Sequence, residues 1–323
     1  MNILLLSAGR RTSLLKAFRD AAIETGNEII AADIDPLAPA LYLADKTAFL
    51  TQNTNPAYVE QLWGIIKAHN IGLVVPAIDT ELPVLAHIAP DLESNGCKAL
   101  VSSEQVINAC GDKWLTFKVL SSQGISVPMS WLPGSIDHAS IPDNLVVKPR
   151  NGSASQHVHK VHKDMLDTAL KFVPDPIIQE ELHGPEITID ALLDFDGQPV
   201  HYVPRRRLKT IGGESMEGVT IADGELRPWI LNILALLGRA GGRGPMTLQA
   251  FLTDSGPVLT EVNPRFGGGF PLAYAAGGLY PQWIVQTLTG GVVPPLEIGN
   301  YKAGLYMTRY YVEHFTEEPL WPL

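Results

Sequence analysis

The sequence predicts an α/β protein in which a parallel-sheet domain precedes a region of antiparallel hairpins. Three observations predict it. The first 76 residues alternate short apolar runs with amphipathic stretches in the order β-α-β-α-β, which implies a parallel sheet with ligands beyond the C-terminal ends of its strands. The pattern changes near residue 105, and two strand pairs with tight turns follow at 186–206 and 247–263. At 323 residues the chain exceeds the size at which one core is typical, so two or three domains are expected.

Taken in order, residues 3–7 read as a buried strand and Ala8-Gly9 as a turn. Leu14, Leu15, Phe18 and Ala22 give residues 12–25 helical spacing. Residues 28–32 form the second strand, ending in Asp33-Ile34-Asp35-Pro36. Leu62, Ile65 and Ile66 stripe a helix over 58–69, and 71–76 is the third strand. A helix over 81–89 requires Pro83 in its first turn, and 98–101 is a short strand. One or two helices fill 105–123, with Lys113 near the start of the longer. Pro128, Pro133 and Pro142 mark strand and loop. Residues 145–149 form a strand before the glycine- and serine-rich 151–155, and 176–182 is another strand. The first hairpin turns at Asp196-Gly197 and the second at Asp254-Ser255-Gly256, with a helix over 226–238 between them.

Composition narrows the class. Apolar content of 46% and charged content of 18% fit a soluble globular chain. A net charge of −10 disfavours nucleic acid as the main partner. Cys97 and Cys110 form no CxxC pair, which points to a reducing cytoplasm, and no His/Cys cluster suggests zinc. The N-terminus has neither the length nor the charge order of a signal peptide, and no run of about 18 apolar residues predicts a membrane span.

The chemistry concentrates in Glu261-Val262-Asn263-Pro264-Arg265. Along a strand, Glu261, Asn263 and Arg265 would share a face. The second turn would set Gln249 opposite Glu261, giving oxygens that suit magnesium beside a guanidinium that suits phosphate. Gly267 to Gly269 would let backbone approach a ligand closely. Lys148 ends a buried strand before the glycine loop, whose amides at Gly152, Ser153 and Ser155 could cover phosphates, although GxxxxGK[ST] is absent. Extended backbone at Gln179-Glu180-Glu181-Leu182 could pair with an adenine edge, and Glu186 could accept from ribose hydroxyls. For Glu180 and Glu181 a plain charged edge strand is the other reading.

These residues, from Lys113 to Asn263, stand in the order of the ATP-grasp superfamily. The Gln…Glu-x-Asn-Pro-Arg ending resembles the large subunit of carbamoyl phosphate synthetase and its stand-alone relatives. The resemblance implies an N-terminal parallel α/β, Rossmann-like pre-ATP-grasp domain at 1–110. It also implies a two-lobed α+β ATP-grasp module, with a small lobe at 111–180 and a large lobe at 181–323. It implies ATP with Mg2+ (or Mn2+) as cofactors. Lys113 and Lys148 would hold phosphates, Gln179 and the backbone of Glu180 to Leu182 adenine, and Glu186 ribose. Gln249, Glu261 and Asn263 would hold metal, and Arg265 would steady the γ-phosphate and an acyl phosphate. The activity implied is a ligase that activates a small carboxylate as an acyl phosphate and couples it to an amine or similar nucleophile, releasing ADP and phosphate. Many members of the superfamily have an acid where this chain has Gln249, but the carbamoyl phosphate synthetase pattern has Gln as well. A homodimer is expected from the same resemblance.

Several features stay open. The run Arg205-Arg206-Arg207 with Lys209 is either a solvated strand end or the source of a catalytic arginine, with Arg207 preferred. Asp79-Thr80-Glu81 follows the third strand where an amine could be met, and Asp79 equally suits a helix cap. His157, His159 and His162 read as surface residues. A non-catalytic ATP-binding or regulatory module is a second reading of the chain. A dinucleotide-dependent oxidoreductase, suggested by Asp33, is nearly excluded because the first turn has one glycine where GxGxxG needs three.

Overall fold

The computed structural model describes residues 1–137, 140–152, 157–211, 214–291 and 297–322. The N-terminal part runs β1 (Asn2–Leu6), α1 (Thr12–Glu24), β2 (Ile29–Asp33), β3 (Lys46–Phe49), α2 (Tyr58–Ala68), β4 (Ile71–Pro76), α3 (Leu82–Ser94) and β5 (Lys98–Ala99). All neighbouring strands pair in parallel, in the order β3-β2-β1-β4-β5. The central strands β1, β2 and β4 are buried almost throughout, which is why they read as unbroken apolar runs. Strand β3 has no such run because it lies on the sheet edge and is half exposed, so periodicity does not find it. Helix α3 continues five residues past the expected end, through Pro90.

Next come α4 (Glu104–Gly111), α5 (Lys113–Ser122), β6 (Ser130–Trp131), β7 (Asn144–Pro149), β8 (His159–His162), α6 (Leu166–Ala169) and β9 (Pro176–Glu180). Their four strands form an antiparallel sheet in the order β6-β9-β7-β8, closed over its own small core of Leu145, Val147, Leu166 and Ile178. Ser103 and Asp112 cap α4 and α5 with side-chain hydrogen bonds, so the one or two helices expected across 105–123 are two.

The rest runs β10 (Glu186–Leu193), β11 (Pro199–Ile211), β12 (Glu214–Thr220), α7 (Leu226–Arg239), β13 (Gly244–Thr253), β14 (Gly256–Asn263), α8 (Phe270–Ala275), α9 (Tyr280–Leu288) and β15 (Tyr306–Thr308). Six of these are strands of one antiparallel sheet, ordered β14-β13-β10-β11-β12-β15. Both expected hairpins are in it, extended by β12 and β15, which carry no clear alternation. One face of the sheet packs its apolar residues (Ile187, Ile189, Leu248, Val262) against Ile230, Ile233 and Leu234 of α7. The other face carries polar residues, together with Leu192 and Val203, which enter a second core.

Helices α8 and α9 do not stay with this sheet alone. Phe266, Phe270, Tyr280 and Trp283 share one continuous core with Leu14, Leu15 and Phe18 of α1. Phe18 and Phe266 meet edge to face at 5.6 Å, both essentially buried. The parallel sheet and the six-stranded sheet are thereby packed together, so their facing surfaces can share a site. Among the described residues, no helix is long and apolar enough to cross a membrane.

Candidate active site

The register of the second hairpin puts Gln249 directly opposite Glu261 and Thr247 opposite Asn263. Directly paired residues of antiparallel strands project from the same face. Tracing the pairs onward, Gln249 faces Thr188 on β10, Thr188 faces Arg205 on β11, and Asp190 faces Thr247. By the two-residue alternation, Glu186 and Arg207 lie on this face as well. The polar face of the six-stranded sheet therefore collects Glu186, Asp190, Arg205, Arg207, Gln249, Glu261 and Asn263. Gln249 and Glu261 are half-buried and Asn263 is buried.

The two lysines converge on this face from the smaller sheet. Asp112 caps α5 and pairs with the Arg150 guanidinium, which fixes Lys113 beside the start of the glycine loop. The Lys113 Nζ donates to the carbonyl oxygens of Gly152 at 2.9 Å and Arg150 at 3.4 Å. Burial lowers the Lys113 pKa, and the carboxylates of Glu261, Asp112 and Asp79 oppose that shift. At the end of β7, burial and the neighbouring Lys113 pull Lys148 down to about 8, again opposed by Glu261. Lys113, Lys148 and Glu261 thus sit within electrostatic reach of one another. Gly152 adopts a positive φ at the mouth of the loop, while Ser153 and Ser155 lie outside the described residues.

Strand β9 corrects part of the adenine expectation. The Gln179 side chain is buried and donates from Nε2 to Ser130 Oγ at 2.8 Å. The Glu180 carboxylate accepts from the Met129 amide, and the Glu180 amide donates to the Met129 carbonyl. Glu181 pairs with Lys160 at 2.8 Å, and its amide donates to the Asn144 carbonyl. These side chains hold the small sheet together, and β9 lies between β6 and β7, so it is not the charged edge strand of the other reading. Any edge presented to a base falls to the Glu181 carbonyl and the backbone of Leu182, since the Glu181 amide is engaged.

The arginines also differ from expectation. Arg205 is not a solvated strand end. It is 3% exposed and paired with Asp190, itself 2% exposed, at 2.7 Å. Gly267 and Gly269 lie directly on this pair. A Cβ on Gly269 would come within 2.4 Å of the Arg205 guanidinium, and one on Gly267 within 3.1 Å of Asp190 Oδ1. The Pro-Arg-Phe-Gly-Gly-Gly segment therefore uses its glycines to close over a buried ion pair. Arg206 is exposed, and Arg207 pairs with Glu186 and reaches Gln249 Oε1 at 3.4 Å. Strand β14 ends at Asn263, so alternation does not extend to Arg265. The Arg265 guanidinium instead donates twice to Asp79, at 2.7 and 2.6 Å. Asp79 makes no cap bond, and this pair ties the end of the parallel sheet to the end of β14.

Other readings resolve simply. Asp33 accepts from the amides of Gly9 and Asp35, which closes the first turn on itself. His157, His159 and His162 are exposed. Burial pushes the Cys97 thiol up to about 11 and Cys110 up to about 12, so neither is poised as a nucleophile. Sequence reasoning misses the Asp112–Arg150 clamp, the Asp190–Arg205 pair and the Asp79–Arg265 bridge. An aspartate immediately before a helix could have signalled the first. The other two join residues 15 and 186 positions apart, beyond any local pattern.

A parallel α/β unit followed by a small and a large antiparallel sheet, with lysines, acid and amides facing one another between the sheets, defines an ATP-grasp architecture. Residues 172–309 match the family model described as ATP-grasp in the biosynthetic pathway with Ter operon, and residues 3–100 match the PylC-like N-terminal domain. Among curated proteins none matches the sequence. The fold is similar to the biotin carboxylase domain of Hydrogenobacter thermophilus 2-oxoglutarate carboxylase, with a TM-score of 0.75 and 14% identity over 94% of this chain and 73% of that one. It is also similar to an L-amino acid ligase from Bacillus licheniformis, with a TM-score of 0.69 and 18% identity over 92% and 75%. An N5-carboxyaminoimidazole ribonucleotide synthetase from Thermotoga maritima gives a TM-score of 0.66 and 17% identity over 92% and 78%.

Proposed function

We propose that the protein is an ATP-dependent ligase that activates a small carboxylate as an acyl phosphate and joins it to an amine. The observation that carries this reading is Glu261, set opposite Gln249 and within reach of both Lys113 and Lys148. Two neighbouring ammonium groups, both depressed by burial despite the nearby carboxylates, are a poor arrangement for an empty protein. They are a good arrangement for a polyphosphate, which supplies the missing negative charge.

Lys113 and Lys148 would bind the phosphates of ATP, and the backbone at Glu181 and Leu182 would meet the adenine. Glu186 is engaged by Arg207, so a ribose hydroxyl would join an existing network rather than meet a free acid. The donors Glu261, Gln249 and Asn263 are hard oxygens on one face and fit magnesium, which retains phosphate and water ligands. Bound there, magnesium would neutralise charge on the transferring phosphoryl group. The similar carboxylase domain is described in complex with magnesium ADP and bicarbonate, which supports the same use of this face.

The substrate carboxylate oxygen attacks the γ-phosphorus as the bond to ADP breaks. The amine nitrogen then attacks the acyl carbon, phosphate leaves, and the nitrogen loses a proton. Arg265 and Arg207 flank the metal-binding oxygens and would orient the acyl phosphate, Arg265 by exchanging part of its contact with Asp79. No protein nucleophile is required, because phosphoryl transfer depends on positioning and charge neutralisation. A homodimer is part of the proposal, with light scattering as its check.

Incubation with ATP, magnesium and a panel of carboxylates and amines tests the reading. ADP release should depend on one acid and rise further with the right amine, whose product mass spectrometry identifies. Release that is indifferent to every acid, and unchanged in Glu261→Ala, would leave only a nucleotide-binding module.

A further inference from the structure

A second crevice lies at the C-terminal ends of β1, β2 and β4, where connections leave toward opposite sides of the parallel sheet. That is the place where open α/β sheets receive ligands. Its volume is about 320 Å³, and Ser7, Asp33, Asn53, Ile78, Thr80 and Glu81 are among its lining residues. Among the described residues, the lining holds two carboxylates and no lysine or arginine. Arg11 lies near, but its guanidinium donates to the Ala77 carbonyl.

Glu81 is the unexpected member. It is 2% exposed, and among the described residues no cation forms an ion pair with it. Its Oε1 accepts from Ser7 Oγ at 2.8 Å and from Tyr58 OH at 3.1 Å. Its Oε2 is buried with no hydrogen-bond partner among the described residues. The Ala77 amide favours the ionised form from nearby without reaching hydrogen-bond geometry. Ser7 donates from a left-handed backbone, φ 43°, which costs energy for a residue with a Cβ. A buried carboxylate oxygen without a donor is itself costly. Asp33 differs, since both of its oxygens are satisfied by backbone amides. The fold thus maintains one acid with a strained donor on one oxygen and leaves the other, buried oxygen without a donor.

We infer that this crevice binds the amine partner of the ligase, a small molecule carrying a primary ammonium, with Glu81 Oε2 as its counter-ion. The inference rests on the proposed ligase reading for the word partner, but the binding itself does not need nucleotide. An ammonium supplies the hydrogen-bond donor that Oε2 lacks and the positive charge that the crevice lacks. Thr51, Gln52, Asn53 and Thr80 offer polar groups for the remainder of the molecule. Thr80 adjoins Asp79, whose carboxylate is held by Arg265, so the crevice opens beside the proposed acyl phosphate site. Burial and the Asp33 charge push the Glu81 pKa up to about 7 against the donors Ser7 and Tyr58, and an incoming cation would favour its ionised form.

The test uses the full chain without ATP, so a failure of ligase chemistry does not affect it. Three probes of one size are titrated by NMR of isoleucine methyl groups: 4-amino-1-butanol, 1,4-butanediol and 4-hydroxybutanoate. The aminoalcohol should bind saturably, shift Ile34 and Ile78, and bind about tenfold or more tightly than the diol, with the acid weakest. Glu81→Gln should bring the aminoalcohol down to the level of the diol, while Tyr58→Phe should retain the preference for the amine. If Glu81→Gln does not fold, the three probes on the wild-type chain still decide. No saturable binding of the aminoalcohol, no preference over the diol, or a preference that survives Glu81→Gln would each overturn the inference.

Discussion

The surface between the two antiparallel sheets and the crevice of the parallel sheet handle charge in opposite ways. Between the sheets, Lys113 and Lys148 are brought together beside Glu261, with Asp112 and Asp79 also acting on Lys113, and both lysines are depressed by burial. In the crevice, Asp33 and Glu81 are brought together with no basic residue among the described lining, and Glu81 is raised by burial. The proposed ligands follow these charges: an anion for the first region and a cation for the second. Asp79 and Arg265 join the two, one residue from each side. A ligase for an acid and an amine would be served by such a division, because it would hold a polyanion apart from an ammonium that must lose a proton before its nitrogen can attack.

The largest expected effect comes from breaking the anion side. Glu261→Gln keeps the shape of the hairpin and removes the only carboxylate among Gln249, Glu261 and Asn263. Steady-state ADP release should fall roughly 10²–10³-fold, the scale for losing one charge-stabilising group from such a site. Lys148→Met should weaken nucleotide binding by about tenfold or more, measured by calorimetry. The same variant should be no less stable than wild type without nucleotide. The sign follows from linkage: the folded pKa of about 8 lies below the ordinary lysine value of 10.5. Folding of the charged form is therefore penalised below pH 8, and that penalty is relieved as pH rises from 8 toward 10.5.

The cation side should show the opposite trend at lower pH. Glu81 has a folded pKa of about 7 against 4.5 when free. The folded state holds a proton that the unfolded state releases between these values, so stability falls as pH rises from 4.5 to 7 and then levels. Glu81→Gln should flatten this part of a melting-temperature profile and raise stability above pH 7, by up to about 3 kcal/mol. A profile unchanged by the substitution would remove the contrast between the two regions. The smallest effect is expected at the join. Asp79→Asn should cost about 1 kcal/mol in urea unfolding, since the pair is partly exposed.

The anion side is largely legible in the amino-acid sequence. Strand period and turn length alone set Gln249 opposite Glu261, because one short hairpin contains both. Lys148 and Lys113 fall at the end of a strand and the start of a helix, positions that local pattern identifies. The β-α-β-α-β order likewise reveals the parallel sheet, although the edge strand β3 and the strands β12 and β15 lack a signal. The other contacts depend on assembly. Arg205 reads as part of a basic run, and only the packing of β10 against β11 shows it buried on Asp190. Alternation alone would carry the face of Glu261 and Asn263 on to Arg265, but the strand stops first. Glu81 stands out only for its place after the third strand. Its burial depends on Ser7 and Tyr58, which are 74 and 23 residues away.

The central claim is that a carboxylate is activated by direct attack on ATP, and isotope transfer tests it most directly. With the acid identified by the ADP assay and labelled with 18O in its carboxylate, and with its amine present, one 18O should appear in the released phosphate for each product formed. Phosphate that carries no label while product accumulates would contradict an acyl phosphate and the assignment of Lys113, Lys148 and Glu261 that leads to it.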